Sequence, residues 1–274
     1  MTQDYVLIKA GKSTGNYFKD LWRYRELLYF LSWRDILVRY KQTAIGILWS
    51  VIKPILTILI FSVVFGKIAK LPQAGIPYPL LVLAGLLPWY FFSSSLSESS
   101  LSLISNSNLI TKVYFPRLLL PISSIIVSLI DFIISFVLLL ILMVWYDLYP
   151  GWEIILLPVF ILLAFIPALG AGLWFSAFNV RFRDFRYIVP FILQLGLLIS
   201  PVGFSSSLMP GEWRMLYSLN PLVGAIDGFR WALLGEKFDI YLPGFIISVG
   251  ISVLLLITGL MYFRKTEKVF ADII

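Results

Sequence analysis

The sequence predicts an all-α integral membrane protein with six transmembrane helices. Apolar residues make up 59% of the chain and charged residues 14%, whereas soluble domains carry about 45–50% and about 25%. Long apolar stretches recur along the chain, and most basic residues between them fall on one predicted side of the membrane. A bilayer accommodates this much apolar surface without the need to bury it.

The first 44 residues form a region of their own, a polar tail followed by an amphipathic helix. One face of this helix carries residues at helical spacing, namely Trp22, Tyr29, Trp33, Ile36 and Tyr40. No window here is apolar enough to cross a bilayer. We therefore expect the helix to lie in the membrane interface, with its aromatic rings at headgroup depth.

Residues 45–274 form the predicted membrane domain. Its six spans cover approximately residues 45–65, 80–96, 118–146, 154–178, 187–204 and 242–263. Between spans five and six, Asn220-Pro221 is typical of a helix start and Gly235 of a helix end. The helix between them is too short to cross, so we interpret it as part of a re-entrant or interfacial hairpin that begins near Met209.

Basic residues predict the orientation. The N-terminal region, the 97–117 and 181–186 loops and the C-terminal tail together contain sixteen lysines and arginines, against five in the loops on the opposite side. Because basic loops stay in the cytoplasm, both termini are predicted to be cytoplasmic. This placement also accounts for the net charge of +7, and no nucleic-acid partner is predicted.

Enzyme chemistry finds little support in the sequence. The chain has no histidine and no cysteine, which removes the usual general base and the usual zinc ligands. Residues 11–14 resemble the end of a phosphate-binding loop, but Val6 stands where its first glycine is required. Four external carboxylates leave open a glycosyl-transfer site or a solvated rim, at Glu212, Asp227, Glu236 and Asp239. We predict a transport subunit that holds no cofactor or metal of its own.

Asp131 stands alone in the middle of the third span. A carboxylate at this depth is costly, and two interpretations remain open. One is a proton-coupling site; the other, which we favour, is a structural group hydrogen-bonded near Ser128 and Ser135, because proton relays usually contain several such groups.

Two short cytoplasmic loops mix basic and aromatic side chains and are candidate docking surfaces for a soluble partner. The first spans residues 112–117 and the second residues 181–186. Aromatic residues near the ends of spans one and five are candidates for the lining of a passage, with packing as the alternative role: Trp49, Phe65, Phe191 and Phe204.

Four separated motifs resemble the ABC-2 type permeases that export polysaccharides such as O-antigen, capsule and teichoic acid. They lie at residues 33–49, 109–117, 179–184 and 219–235 and read WRDI…RYKQT…G…W, LITKVYFPR, NVRFRD and LNP…FR…LG. They occur in order, and the resemblance extends over nearly the whole chain.

The resemblance implies a half-transporter of the bacterial cytoplasmic membrane that forms a homodimer. Two copies of a separate ATP-binding cassette subunit, which holds ATP and Mg, would dock on its cytoplasmic face. The substrate would be a lipid-linked polysaccharide, surrounded by membrane lipids. Its pyrophosphate would meet Arg34, Arg39 and Lys41, because cations suit a dianionic headgroup. Coupling to the ATPase would involve Lys112, Tyr114, Phe115, Pro116, Arg117, Arg181, Arg183 and Asp184.

Three rival functions remain at this point. An ABC-2 permease for a drug or small lipid shares the same fold. A membrane glycosyltransferase would need essential external carboxylates. An ion-coupled secondary transporter would need inverted repeats, and no repeat relates the two halves of the sequence.

Overall fold

The computed structural model describes residues 17–41, 46–72, 75–235 and 238–270, and the regular elements within these ranges are helical. The α-helices are α1 (Tyr17–Arg23), α2 (Arg25–Lys41), α3 (Trp49–Phe61), α4 (Tyr78–Ser105), α5 (Ser107–Lys112), α6 (Leu119–Trp145), α7 (Leu157–Arg181), α8 (Phe185–Ile199), α9 (Gly211–Tyr217), α10 (Pro221–Leu234) and α11 (Leu242–Thr266). Single 3₁₀ turns precede α3 and α7, and a π-helical segment, Ser62–Ile68, continues α3.

Five helical stretches in the described part of the chain are long and apolar enough to cross a bilayer. They are Trp49–Ile68, Tyr78–Ser105, Leu119–Trp145, Trp152–Arg181 and Leu242–Val269. These correspond to predicted spans one, two, three, four and six.

The second span is longer than predicted, because α4 continues through the serine-rich segment. The hydroxyl groups of Ser100, Ser102 and Ser105 donate to carbonyl oxygens three or four residues earlier. These bonds follow the turn of the helix, so the polar segment extends α4 instead of ending it.

The predicted fifth span is where sequence and structure differ most. Helix α8 has 15 residues, which corresponds to about 22 Å, whereas the hydrocarbon core of a bilayer is about 30 Å thick. The helix ends at Ile199 because Ser200 precedes Pro201 and takes an extended conformation. The prediction of a full-length helix over residues 187–204 is therefore not confirmed.

Arg230 holds the irregular backbone that follows α8. Its guanidinium is fully buried and donates to the carbonyl oxygens of Leu81, Val202 and Phe204 at 3.2, 2.6 and 2.8 Å. Carbonyl groups that leave a helix in apolar surroundings need such partners. Arg230 on α10 therefore joins the end of α8 to α4.

The short helix between spans five and six has the predicted ends. The Asn220 side chain accepts a hydrogen bond from the Leu222 amide at 3.0 Å, and Gly235 has a φ of 68°. Helix α10 packs against α4, α7 and α11 and most of its residues are buried. Its re-entrant position in a membrane stays a prediction.

Helix α4 lies at the centre of the bundle, between α6 and α7. On its far side α7 packs against α11 through two glycines. A Cβ atom on Gly259 would clash with the Gly170 carbonyl oxygen, and one on Gly170 would lie 2.5 Å from the Leu255 backbone. Small residues permit this close approach of two membrane helices.

The predicted amphipathic segment is helical and forms α1 and α2. Trp22, Tyr29 and Trp33 are exposed, and the rings of Tyr29 and Trp33 stack at 6.5 Å. Leu31 and Ser32 on the other side of α2 are buried, and α2 packs along α6. The exposed rings of Trp22, Tyr29 and Trp33 agree with the expected interface helix, whereas Ile36 and Tyr40 of the same predicted face are half-buried. The depth of the helix in a membrane stays a prediction.

Both ends of the described chain meet. The Tyr17 hydroxyl group donates to the Glu267 carboxylate at 3.0 Å, and the Arg117 guanidinium donates to the Glu267 carbonyl oxygen at 2.8 Å. The first helix, the segment before α6 and the end of α11 therefore lie at one end of the bundle.

Candidate functional site

A cavity of about 920 Å³ opens between α2, α3, α4, α6 and α8. This volume is near the upper end of the range of about 300–1,000 Å³ that is usual for ligand pockets. The lining residues are Arg39, Tyr40, Gly46, Trp49, Ser50, Lys53, Pro54, Leu87, Trp89, Tyr90, Phe91, Ser93, Ser94, Ser97, Glu98, Ser128, Asp131, Phe132, Ser135, Pro190, Leu193, Gln194 and Leu197.

The lining combines aromatic rings with hydroxyl groups. Helix α4 contributes both kinds, because Trp89 and Tyr90 are followed at about one-turn spacing by Ser93, Ser94 and Ser97. The Tyr90 hydroxyl group is hydrogen-bonded to Thr57 of α3 at 2.6 Å. Ring faces and hydroxyl groups together suit a ligand that has apolar faces and many hydroxyl groups.

One wall of the cavity contains a charged cluster centred on Asp131. One oxygen of its carboxylate accepts hydrogen bonds from the Tyr40 hydroxyl at 2.6 Å and the Ser50 hydroxyl at 2.5 Å. The other oxygen lies 3.2 Å from the Arg39 guanidinium, which is also 3.6 Å from Glu98. We call these five residues the Asp131 cluster.

The Asp131 cluster joins four helices. Arg39 and Tyr40 belong to α2, Ser50 to α3, Glu98 to α4 and Asp131 to α6. The Ser135 hydroxyl adds a bond to the Ser50 carbonyl oxygen at 3.0 Å. The pKa of Tyr40 is raised to about 12, chiefly because its hydroxyl group is buried. The hydrogen bond to Asp131 and the negative charge of Asp131 add to this effect. Its hydroxyl therefore keeps its proton and remains a donor at neutral pH.

Sequence reasoning did not identify these partners of Asp131. Of its two expected neighbours, Ser128 bonds instead to the Ser124 carbonyl and Ser135 to the Ser50 carbonyl. The donors come from residues 81 to 92 positions away in the chain. The sequence assigns Arg39 to a headgroup and Tyr40 to the membrane interface, in the region before residue 45, whereas Asp131 belongs to the predicted membrane domain. An unpaired carboxylate within a span is the one signal in the sequence that Asp131 needs donors from elsewhere.

The three predicted headgroup cations are distributed along α2. Arg39 lines the cavity. Arg34 is bonded to Asp35 at 2.8 Å and to Asn106 at 2.8 Å, outside the cavity lining. Lys41 is exposed at the end of α2. Of these three cations the structure thus brings only Arg39 to the cavity wall, where Lys53 of α3 is a second cation.

Of the four aromatic residues predicted to line a passage, Trp49 lines this cavity. Phe65, Phe191 and Phe204 lie outside its lining: Phe65 packs on Phe61, Phe191 is exposed, and Phe204 faces Tyr217. Other rings take their place in the lining, at Trp89, Tyr90, Phe91 and Phe132.

The predicted coupling segment presents only part of itself to solvent. Lys112 and Tyr114 are exposed, Tyr114 by 60%, whereas Phe115 is 3% exposed and Pro116 is buried. Arg117 is half-buried and bonds Glu267 through its amide and its guanidinium. A partner that docks here without a rearrangement meets Tyr114, while Phe115 anchors the segment from inside.

The second predicted docking loop is exposed except at Phe185, which is half-buried. Arg181, Arg183 and Asp184 are exposed, and the Arg181 guanidinium lies 5.4 Å from the centre of the Phe182 ring. The loop connects α7 to α8, and Phe178 stacks on Phe185 at 4.9 Å beneath it.

The remaining sequence features form no second site in the described residues. Residues 11–14 and Glu236 lie outside them. Asp227 is bonded to Ser206, whereas Glu212 and Asp239 are exposed.

The chain matches the ABC-2 type transporter family over residues 26–234. It is similar to the O-antigen export system permease protein RfbA of Myxococcus xanthus, with 30% identity over 93% of this chain and 97% of the relative. An RfbA protein of Klebsiella pneumoniae is 28% identical over 91% of this chain and 95% of the relative. The polysialic acid transport protein KpsM of Escherichia coli is 27% identical over 86% of this chain and 91% of the relative.

These full-length similarities agree with the bundle of long apolar helices. The chain is a multi-pass protein of the bacterial inner membrane and belongs to the ABC-2 type transporter family.

Proposed function

We propose that this chain is the permease subunit of an ATP-driven exporter of a lipid-linked polysaccharide. The cavity is the observation that carries the proposal, because it combines aromatic rings and serine hydroxyl groups with two cations, Arg39 and Lys53, on a wall that also holds Asp131 and Glu98. Sugars offer apolar ring faces and hydroxyl groups, and a polyprenyl diphosphate offers a dianion. The relatives named for O-antigen export and polysialic acid transport support the same substrate class.

The diphosphate would enter along the second half of α2. Arg39 lines the cavity, and Arg34 and Lys41 lie on the same helix. Arginine is suited to phosphate because its planar donors bind two oxygens at once. The glycan would then follow the wall of α4, with Trp49 opposite.

The bundle would stand with the Tyr17–Glu267 end in the cytoplasm, as the basic residues predict. Six crossings then require α8 and the irregular backbone after it to complete one passage. The bonds from Arg230 make such a passage possible, since they satisfy carbonyl groups that a helix would otherwise satisfy. In this arrangement the α9–α10 hairpin shapes the external exit.

Two ATP-binding cassette subunits would drive a homodimer of this chain. Tyr114 and the 181–186 loop offer exposed rings and cations at the proposed cytoplasmic end. ATP and Mg would be held by those partner subunits, and this chain would supply the path and the docking surface.

The test is Tyr114→Ala in the chain co-expressed with its partner. We expect the complex to be recovered in mild detergent, with stimulation of ATP hydrolysis by a lipid-linked glycan reduced at least tenfold. Loss of one central exposed ring typically costs about 2 kcal/mol or more at such a contact. Tyr149→Ala, which removes another exposed tyrosine between α6 and α7, is the matched control and should leave stimulation unchanged.

Different failures have different meanings. Full stimulation in Tyr114→Ala would remove this residue from the coupling surface. A wild-type complex that is stimulated by small lipids and ignores lipid-linked glycans would favour the rival permease function. Recovery of the chain without any ATPase, after gentle extraction from its host, would argue against the exporter itself.

A further inference from the structure

The Asp131 carboxylate occupies a position built for an oxyanion. It receives two hydroxyl donors at 2.5 and 2.6 Å and a guanidinium at 3.2 Å. Hydroxyl and guanidinium groups are the donors with which proteins commonly bind phosphate. The same three groups, Arg39, Tyr40 and Ser50, all line the cavity.

The group that accepts these hydrogen bonds, the Asp131 carboxylate, belongs to a side chain and can move out of this position. Asp131 and Arg39 are 23% and 32% exposed, and Glu98 at the rim is 51% exposed. The ion pair is therefore within reach of a ligand in the cavity. A carboxylate on α6 can rotate away from α2 and α3 without any change in the backbone of α6.

Asp131 also fastens the least buried span to the bundle. In the span Trp49–Ile68 only 11% of the apolar window is buried, against 72% for α4. Polar contacts therefore contribute much of what holds the start of α3, and the Ser50 hydroxyl and carbonyl make two of them with α6.

We propose that Asp131 occupies the binding position of the substrate's diphosphate and is displaced from it when the diphosphate binds. This inference rests on the proposed function. The arriving diphosphate takes over Arg39, Tyr40 and Ser50, Asp131 is released, and α3 loses a bond to α6. Lys53, on the cavity wall one helical turn after Ser50, supplies a further positive charge for the ligand. Asp131 thus holds this position until a headgroup of the correct charge replaces it.

The test uses the assembled transporter in lipid nanodiscs and polyprenyl diphosphate without a glycan as the probe. Binding is followed by tryptophan fluorescence, since Trp49 and Trp89 line the cavity. Asp131→Asn keeps the shape and the acceptor oxygen but loses the competing charge. We expect its half-saturating probe concentration to fall roughly tenfold, within the range typical of coupled sites.

A second variant removes a donor and leaves Asp131 in place. Tyr40→Phe should raise the half-saturating concentration, because the ligand loses a group that the inference assigns to it. Asp147→Asn, in the loop after α6 and exposed, is the matched control and should bind like the wild type. Inorganic pyrophosphate should bind at the same place but more weakly than polyprenyl diphosphate, because it has no lipid chain to bring it through the membrane.

The outcomes separate the two proposals. If Asp131→Asn binds the probe as the wild type does, or more weakly, the proposed displacement is wrong. If Asp131→Asn does not fold, Tyr40→Phe decides instead, and unchanged probe binding in that variant would overturn the proposal. If the wild-type transporter responds neither to the diphosphate probe nor to a lipid-linked glycan, the proposed function itself fails.

Discussion

Arg230 and Arg39 are both cations among apolar helices, but they bind different kinds of acceptor. Arg230 is fully buried and donates to three main-chain carbonyl oxygens. Arg39 is half-buried and pairs with two carboxylate side chains from α4 and α6.

The difference separates a fixed joint from an exchangeable one. Main-chain acceptors move only when the fold moves, so Arg230 is part of the scaffold that replaces a missing stretch of helix. Carboxylate side chains change rotamer at low cost, so Arg39 can change its partner. Charge in the bundle therefore serves structure at the α8 end and, in our proposal, substrate recognition at the cavity wall.

The largest expected effect comes from Arg230→Met. The change leaves three carbonyl groups without their donor and removes one of the two cations near Asp227, the other being Arg214. Breaking a buried charged network costs about 3–5 kcal/mol. We expect a strong decrease in the unfolding free energy in an SDS titration. The matched Arg39→Met should cost about 1 kcal/mol, and equal costs at the two positions would contradict the comparison.

A smaller effect is expected from Gly85→Ala. A Cβ atom here would lie 2.5 Å from the Arg230 guanidinium and 2.9 Å from the Val202 carbonyl oxygen, so the joint must shift. Overpacking of this kind costs about 1–3 kcal/mol. Gly250→Ala on α11 is the control, because its Cβ would meet no atom within 4 Å. An unfolding midpoint in Gly85→Ala equal to that of this control would mean that the Arg230 joint is loosely packed.

Much of the scaffold is predictable because it follows local rules. Hydropathy identifies the five long spans, and the Asn220 and Gly235 signals identify both ends of α10. The same hydropathy fails at α8, since apolar residues continue after the helix ends. Pro201 was the local signal that the helix stops, and the prediction gave it too little weight.

The site is less predictable because it is assembled from distant residues. Nothing near Asp131 in the sequence indicates that Tyr40 and Ser50 will donate to it. Similarly, the motif at residues 112–117 contains two adjacent aromatic rings, and only packing decides that Tyr114 is outside and Phe115 inside. Composition and motif therefore lead to the family, while the partners of each charge require the fold.

The smallest expected effect comes from Glu98→Gln. Glu98 lies 3.6 Å from Arg39 and is 51% exposed, and exposed pairs of this kind contribute about 0.2–1 kcal/mol. We expect an unfolding free energy within about 0.5 kcal/mol of the wild type. Glu26→Gln, on the exposed start of α2, is the control for loss of a surface charge. If Glu98→Gln lowered the unfolding free energy as much as Arg230→Met does, Arg39 would be held in place by its carboxylates as firmly as Arg230 is held by its carbonyl groups. The distinction between the two arginines would then not hold.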